Sequence, residues 1–186
     1  MKTKDLFGTL IFFLSMFSLM SCNKEDTGFS DSEIKQALFD MKGTYHGTAK
    51  IAYYQGSTIT ELQNSTATSR DSLKFSMSLL PISGLVADKS LAERLKEIGE
   101  VPVMVGYEFD QRDETFISFG LHPKDVVVWG GASPTLKIVF AKNYGGNAQV
   151  DRNFMMFNIS PIELWMNGSK YEEFPPLVYH FSGEYQ

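Results

Sequence analysis

The chain has 186 residues, 43% of them hydrophobic and 13% aromatic, and a formal net charge of −5. That acidity, with no basic run anywhere, argues against a nucleic-acid partner, because phosphate binding needs clustered lysine and arginine. A single cysteine leaves no intrachain disulfide and no multi-cysteine metal site to consider.

The first element is a leader, "MKTKDLFGTLIFFLSMFSLMSC". Lys2 and Lys4 precede an apolar run from Leu6 to Met20. A comfortable membrane span needs ~20 apolar residues, so this shorter run reads as a secretory signal peptide over 1–21. Its end resembles a bacterial lipobox, with Leu19 and Ser21 at the third and first positions before Cys22. The resemblance implies cleavage before Cys22 and acylation of that residue, making it a membrane anchor rather than a nucleophile or metal ligand. Each buried methylene contributes about 0.8 kcal/mol, and more than one acyl chain gives a stable tether. Residues 1–21 carry two lysines and one aspartate, so the remainder is one unit more acidic than the whole.

Residues 22–29 read as the lipidated cysteine and a polar tether. Within them Lys24-Glu25-Asp26 is similar to the charged export signal of surface lipoproteins of Bacteroidota. The expectation is an outer-membrane lipoprotein displayed at the surface, with a periplasm-facing protein as the alternative.

Residues 30–186 read as one domain, without repeats or low-complexity tracts. Ser30 and Glu33 have capping-box spacing, Ile34, Ala37, Leu38 and Met41 follow at helical spacing, and Gly43 can stop the helix. "GTYHGTAKIAYY" then alternates as a strand, with Tyr45, Gly47, Ala49, Ile51 and Tyr53 on one face. "DSLKFSMSLL" gives another strand. "SLAERLKEIG" gives a second helix, with Ser90 and Glu93 as its capping box and Gly99 as its end. In "VPVMVGYEFD", Val101, Val103, Val105, Tyr107 and Phe109 share a face, and a turn leads to Ile117, Phe119 and Leu121 of "TFISFGLH". "DVVVWGG", "TLKIVFAKN", "NFMMFNIS" and "LVYHFSGEY" continue as strands. "NYGGNAQVD" reads as a hairpin loop, and Pro161 should bend or split the stretch 153–167. The count is about eight or nine strands, mainly β and antiparallel by their short connections, forming a closed barrel or a sandwich.

The short capped helix followed by Gly43-Thr44-Tyr45 and Gly47-Thr48 resembles calycin-like (lipocalin-like) β-barrel lipoproteins of Bacteroidota. The resemblance runs from about Phe39 to Gln186 and implies a closed or nearly closed antiparallel barrel of about eight strands. The chain departs from true lipocalins, with Tyr45 where their first strand carries tryptophan and no Thr-Asp-Tyr anywhere. Barrel topology is therefore implied, while lipocalin-style ligand binding is not inherited with it.

Aromatic residues are the strongest functional signal. Tyr45, Tyr53, Tyr107, Phe109, Phe119, Phe140, Phe157, Tyr179, Phe181 and Tyr185 fall on expected inward faces. Either they wall a cavity for a small apolar or glycan-derived ligand, with Tyr45, Tyr53, Tyr107, Phe109, Phe119, Tyr179 and Phe181 as its lining, or they fill the core. In the second case the outer face or loops would dock to an outer-membrane protein partner.

Catalytic signals are weak. No Gly-x-Ser-x-Gly, no backed Ser-x-x-Lys and no phosphate-cradling glycine loop occurs, so neither an enzyme nor a cofactor is expected. Glu108 and Asp110 share a strand face, the starting geometry of a glycosidase pair, but beside a polar turn they read as a solvated edge. His46 and His180 lie on outward positions, and pairing of the first and last strands would make them neighbours, with Glu184 as the nearest third ligand for a metal. Exposed strand histidines are the plainer reading. Asp71-Ser72-Leu73 resembles an O-glycosylation signal of Bacteroidota, which marks Ser72.

Overall fold

A strand with one apolar face must bury that face, and here the long strands do so by closing on one another. A computed structural model describes residues 29–53, 56–69, 72–112, 115–130 and 133–185. The signal peptide, Cys22, the tether up to residue 28 and Asp71 lie outside the described residues.

Helix α1 (Asp31–Asp40) comes first, then β1 (Gly43–Tyr53), β2 (Thr58–Thr68) and β3 (Ser72–Ser78). A short helix α2 (Leu80–Ser83) and helix α3 (Lys89–Ile98) follow, then β4 (Glu100–Arg112), β5 (Phe116–Pro123), β6 (Val126–Gly130) and β7 (Ser133–Phe140). β8 (Gly145–Gln149), a 3-10 turn over Val150–Arg152, β9 (Phe154–Ile159), β10 (Pro161–Met166), β11 (Ser169–Lys170) and β12 (Leu177–Tyr185) complete the order. Eight of these strands form a closed antiparallel barrel in the order β1-β12-β9-β8-β5-β4-β3-β2. The other four make a separate sheet, β11-β10-β7-β6. Closure is made by β1 and β12, in register from Tyr45 opposite Tyr185 to Tyr53 opposite Leu177.

The registers define two ends. Gly43, Thr68, Arg112, Phe154 and Tyr185 lie at one; Tyr53, Ser78, Pro123 and Ile159 lie at the other. Helix α1 enters at the first end. Its capping box forms as expected, with Glu33 N–H donating to Ser30 Oγ and Ser30 N–H to Glu33 Oε2. Ala37 and Met41 are buried. Tyr45 Oη donates to the Met41 carbonyl at 3.1 Å, Thr68 Oγ1 donates to the same carbonyl, and Gly43 N–H donates to Thr68 Oγ1 at 2.8 Å. The helix exit is thereby fastened to the barrel rim.

At the other end sit α2, α3 and the second sheet, because every connection between the two sheets passes there. Buried Leu91 and Leu95 of α3 share one core with Val126, Leu136, Ile138, Phe140 and Leu164 of the second sheet and with the barrel interior. Ala87 N–H donates to Tyr171 Oη at 2.9 Å, linking the connection that precedes α3 to the residues after β11.

Several expectations change. Pro161 splits the stretch it was expected to perturb: β9 ends in the barrel and β10 begins in the second sheet, where Pro161 lies opposite Phe140 with a bulge beside it. "NYGGNAQVD" is not a hairpin loop but contains barrel strand β8. A Cβ at Gly145 would stand 2.3 Å from the Phe119 carbonyl oxygen, and one at Gly146 2.3 Å from that of Met156. Those glycines allow close strand approach rather than a turn. "DVVVWGG" and "TLKIVFAKN" pair in the second sheet instead of extending the barrel. β2, "TITELQNSTAT", is a barrel strand without apolar alternation to announce it. Helix α3 starts earlier than Ser90: Asp88 is its cap, accepting from Leu91 N–H at 2.9 Å, while Gly99 ends it at φ 70°.

Candidate functional site

The expected ligand-lining residues separate into groups. Tyr179 and Phe181 of β12 are fully buried in mid-barrel, packed with Phe157 of β9 and Phe75 of β3. Phase alternation along these strands turns all four inward. Phe75 meets Phe157, Tyr179 and Phe181 edge-on, with ring centroids 5.6, 6.4 and 6.2 Å apart, and Phe157 stacks on Phe181 at 5.0 Å. Such pairs contribute about 0.5–1.5 kcal/mol each beyond simple burial. Tyr179 Oη donates to the Ser78 carbonyl at 2.8 Å, and burial raises its phenol pKa above the ordinary tyrosine value. Phe75 escaped the sequence reading, although its strand alternation could have revealed it.

Nearer α1 lies a second aromatic chain. Phe29 meets Phe109 at 5.8 Å, Phe109 stacks on Tyr107 at 5.8 Å, and Tyr107 meets Phe119 edge-on at 5.6 Å. Phe119 is buried, whereas Tyr107 and Phe109 are half-buried. Tyr45 is buried at the rim, 6.0 Å from Tyr185; burial, with Tyr185 adding, pushes its phenol up to about 12. Two rings expected inside are not: Tyr53 is 39% and Tyr185 48% exposed, because both stand at strand ends. Phe140 is buried, but in the second sheet.

On the outer wall the two histidines are kept apart. His46 lies opposite Glu184, while His180 lies opposite Lys50, further along the same strand pair. His180 Nδ1 contacts Asn158 Oδ1 at 2.6 Å, and burial together with Lys50 holds its imidazole below the usual pKa. Among the described residues, no group of three or more His, Cys, Asp or Glu converges on a metal position. Ser72, the expected modification site, begins β3 half-buried, with its Oγ 2.9 Å from Ser69 Oγ.

Among the described residues, two clefts lie on the barrel wall. One, of about 340 Å³, is lined by Glu108, Asp110, His122, Lys142 and Tyr144 over a floor of Gly120, Gly145 and Gly146, and holds a Glu108–His122 contact of 2.8 Å. The other, of about 370 Å³, lies where β2 parts from β3. Those strands pair only from Thr66 to Thr68. Beyond that point Asn64 bridges the gap, its Nδ2 donating to the Ser76 carbonyl at 2.7 Å, and Ser76 Oγ donates to Glu100 at 2.8 Å.

The second sheet turns one face to the core and the other outward. Val127, Lys137, Trp165 and Lys170 stand in register across its four strands, with Trp129 two residues further along β6. Trp165 Nε1–H donates to Glu163 Oε2 at 2.9 Å, Lys170 Nζ to Glu163 Oε1 at 2.8 Å, and Lys137 Nζ lies 3.1 Å from Asp125 Oδ2. The Lys170 hydrogen bond, then that of Trp165, holds the Glu163 carboxyl below the usual range, and Glu163 raises Lys170 in turn. The chain's two tryptophans both lie here, and Trp129 is 62% exposed. The sequence reading passed over them; their scarcity and shared segment type were the available signal. Set beside family models, curated proteins and solved structures, the chain matches none.

Proposed function

We propose that this protein is a non-catalytic binding module of the cell envelope, lipid-anchored at Cys22, whose barrel is a solid scaffold and whose recognition surface lies outside. The observation that carries the reading is the interlocked packing of Phe75, Phe157, Tyr179 and Phe181 across mid-barrel. Small barrels are commonly filled by their own side chains. The lipobox-like ending at Cys22 and the resemblance to calycin-like lipoproteins support the envelope setting. The tether joins the barrel at the α1 end, while the second sheet occupies the opposite end. β1 alone has 11 residues, about 35 Å of strand, so that sheet stands well away from α1, near which the described residues begin. It is the surface offered to an outer-membrane partner or an envelope glycan.

Native mass spectrometry after incubation with total lipid extract tests the scaffold. A bare protein peak is expected, and a retained lipid that denaturation releases would overturn it. Labelling cells with an alkyne fatty acid tests the anchor, since Cys22→Ala must abolish incorporation. Protease shaving of intact cells then separates surface display from a periplasmic position.

A second reading, a small apolar ligand among the rings, draws support from one place. Tyr107 and Phe109 remain half-buried, and Phe29, at the N-terminal side of α1, packs on Phe109. Displacing that segment would uncover them, and the same mass measurement with a Phe29→Ala variant reads it.

A further inference from the structure

We infer that the outward face of the second sheet is a carbohydrate-binding platform that takes a neutral glycan chain across Trp165 and Trp129. The inference rests on the surface-recognition reading above and names its ligand.

Tryptophan is ordinarily well buried, and Trp129 is 62% exposed on the same sheet as Trp165. Trp165 is half-buried, and its ring is held in place. Its indole N–H is tied to Glu163, and Glu163 is tied to Lys170, so the ring plane is fixed before any ligand arrives. From the register, Trp165 lies two strands from β6, and Trp129 lies two residues beyond Val127. Strand spacing and rise put their backbone positions about 12 Å apart, with a register shift between Val128 and Trp129. That span accommodates more than one sugar unit.

The composition of the face selects the ligand. Across the strands it runs Val127, Lys137, Trp165, Lys170, alternating apolar surface with charge. A pyranose presents the matching pattern, with C–H faces that stack on an indole and hydroxyls around its edge that both donate and accept. Glu163 supplies an acceptor next to the ring, and Lys137 and Lys170 supply donors on either side. Both lysines are already paired with carboxylates, Lys137 with Asp125 and Lys170 with Glu163, so the face carries no excess positive charge. An anionic lipid or phosphate would require that excess. A predominantly apolar protein interface would not intersperse paired charges through the centre of the patch.

The sequence provides its own reporter, because both tryptophans belong to the site. The full chain, purified in a sugar-free detergent, would be titrated with chitohexaose and with maltoheptaose while tryptophan emission is followed. The first probe carries the amino-sugar chemistry of a cell-wall glycan, the second that of a plain external glucan. A saturable change with either supports the proposal, and the one that binds identifies the source. Trp129→Ala and Trp165→Ala are each expected to weaken binding about tenfold or more, and Glu163→Gln about threefold. Trp129 is exposed, so its variant tests the site even where Trp165→Ala disturbs the sheet. Emission unmoved by both oligosaccharides at millimolar concentration overturns the platform, as does binding that survives both tryptophan variants, measured calorimetrically. A bare peak in the lipid experiment alongside that failure would leave the solid-scaffold reading standing; a lipid adduct would remove that reading independently.

Discussion

Tyr179 Oη donates to the carbonyl oxygen of Ser78 at 2.8 Å, joining two residues 101 positions apart in the chain. The bond fastens the strand that closes the barrel to the turn that begins α2, at the end where the second sheet is attached. Tyr179→Phe keeps the ring among Phe75, Phe157 and Phe181 but removes the donor. The expected loss is about 1–2 kcal/mol, read as a lower urea midpoint at unchanged slope. Phe181→Ala removes a buried ring instead and should cost about 3–5 kcal/mol. Equal effects from the two variants would mean that the hydrogen bond and the ring cluster are not separable.

The strand glycines make a sharper prediction. Gly146→Ala sets a methyl group 2.3 Å from the Met156 carbonyl oxygen, so β8 and β9 have to part. A loss of about 3 kcal/mol or more is expected. Gly120→Ala, on adjoining β5, meets nothing nearer than 3.7 Å and should be tolerated within about 1 kcal/mol. Thermal denaturation of the two variants side by side checks this, and equal stability would contradict the close packing at β8.

Acid should weaken the fold through His180. Its folded pKa lies below the ordinary histidine value of about 6.5, mainly through burial and secondarily through Lys50. The unfolded chain therefore takes up the proton more readily, and stability falls as pH drops through 6.5 toward the lower folded value. His180→Gln should flatten the pH dependence in that window. Lys50→Met should raise the His180 pKa toward normal, measured by NMR titration of the imidazole; no movement would exclude Lys50 as a contributor.

The β2–β3 seam should open before the rest of the barrel. β2 pairs with β3 only from Thr66 to Thr68, and Asn64 bridges the parting strands through Ser76. Hydrogen exchange should find alternate amides of Thr58 to Ser65 unprotected on the β3 side, with Thr66 to Thr68 slow. Asn64→Ala should extend the fast region toward Thr66. Uniform protection along β2 would show that the seam is tighter than its pairing implies.

Much of the fold was legible because burial is periodic. Val101, Val103 and Val105 of β4, and Ile117, Phe119 and Leu121 of β5, announced a hairpin, and both sets are buried in it. What was hidden had reasons. β2 gives no alternation because its inward positions are themselves mostly polar, Thr60, Asn64, Thr66 and Thr68 sharing a face with Leu62. β8 looks like a loop because close strand approach demands glycine, the residue that also marks turns. The second sheet was invisible as a separate unit, since Pro161 reads equally as a kink, an edge or a switch between sheets. The candidate platform was missed for a related reason: its residues come from β6, β7, β10 and β11, and no single stretch displays the face.

The position of β12 also bears on how the protein is made. It lies between β1 and β9, yet every other barrel strand precedes it in sequence. Until Leu177–Tyr185 is available, β1 and β9 each present an unpaired edge, and the rings at Tyr179 and Phe181 that complete the core are missing. Closure by a late strand across such a sequence separation is slow. A nascent chain of this order stays open while it is synthesised. The same delay leaves those strand edges exposed for longer and makes the unfinished barrel more prone to aggregate than a sheet closed by neighbouring strands.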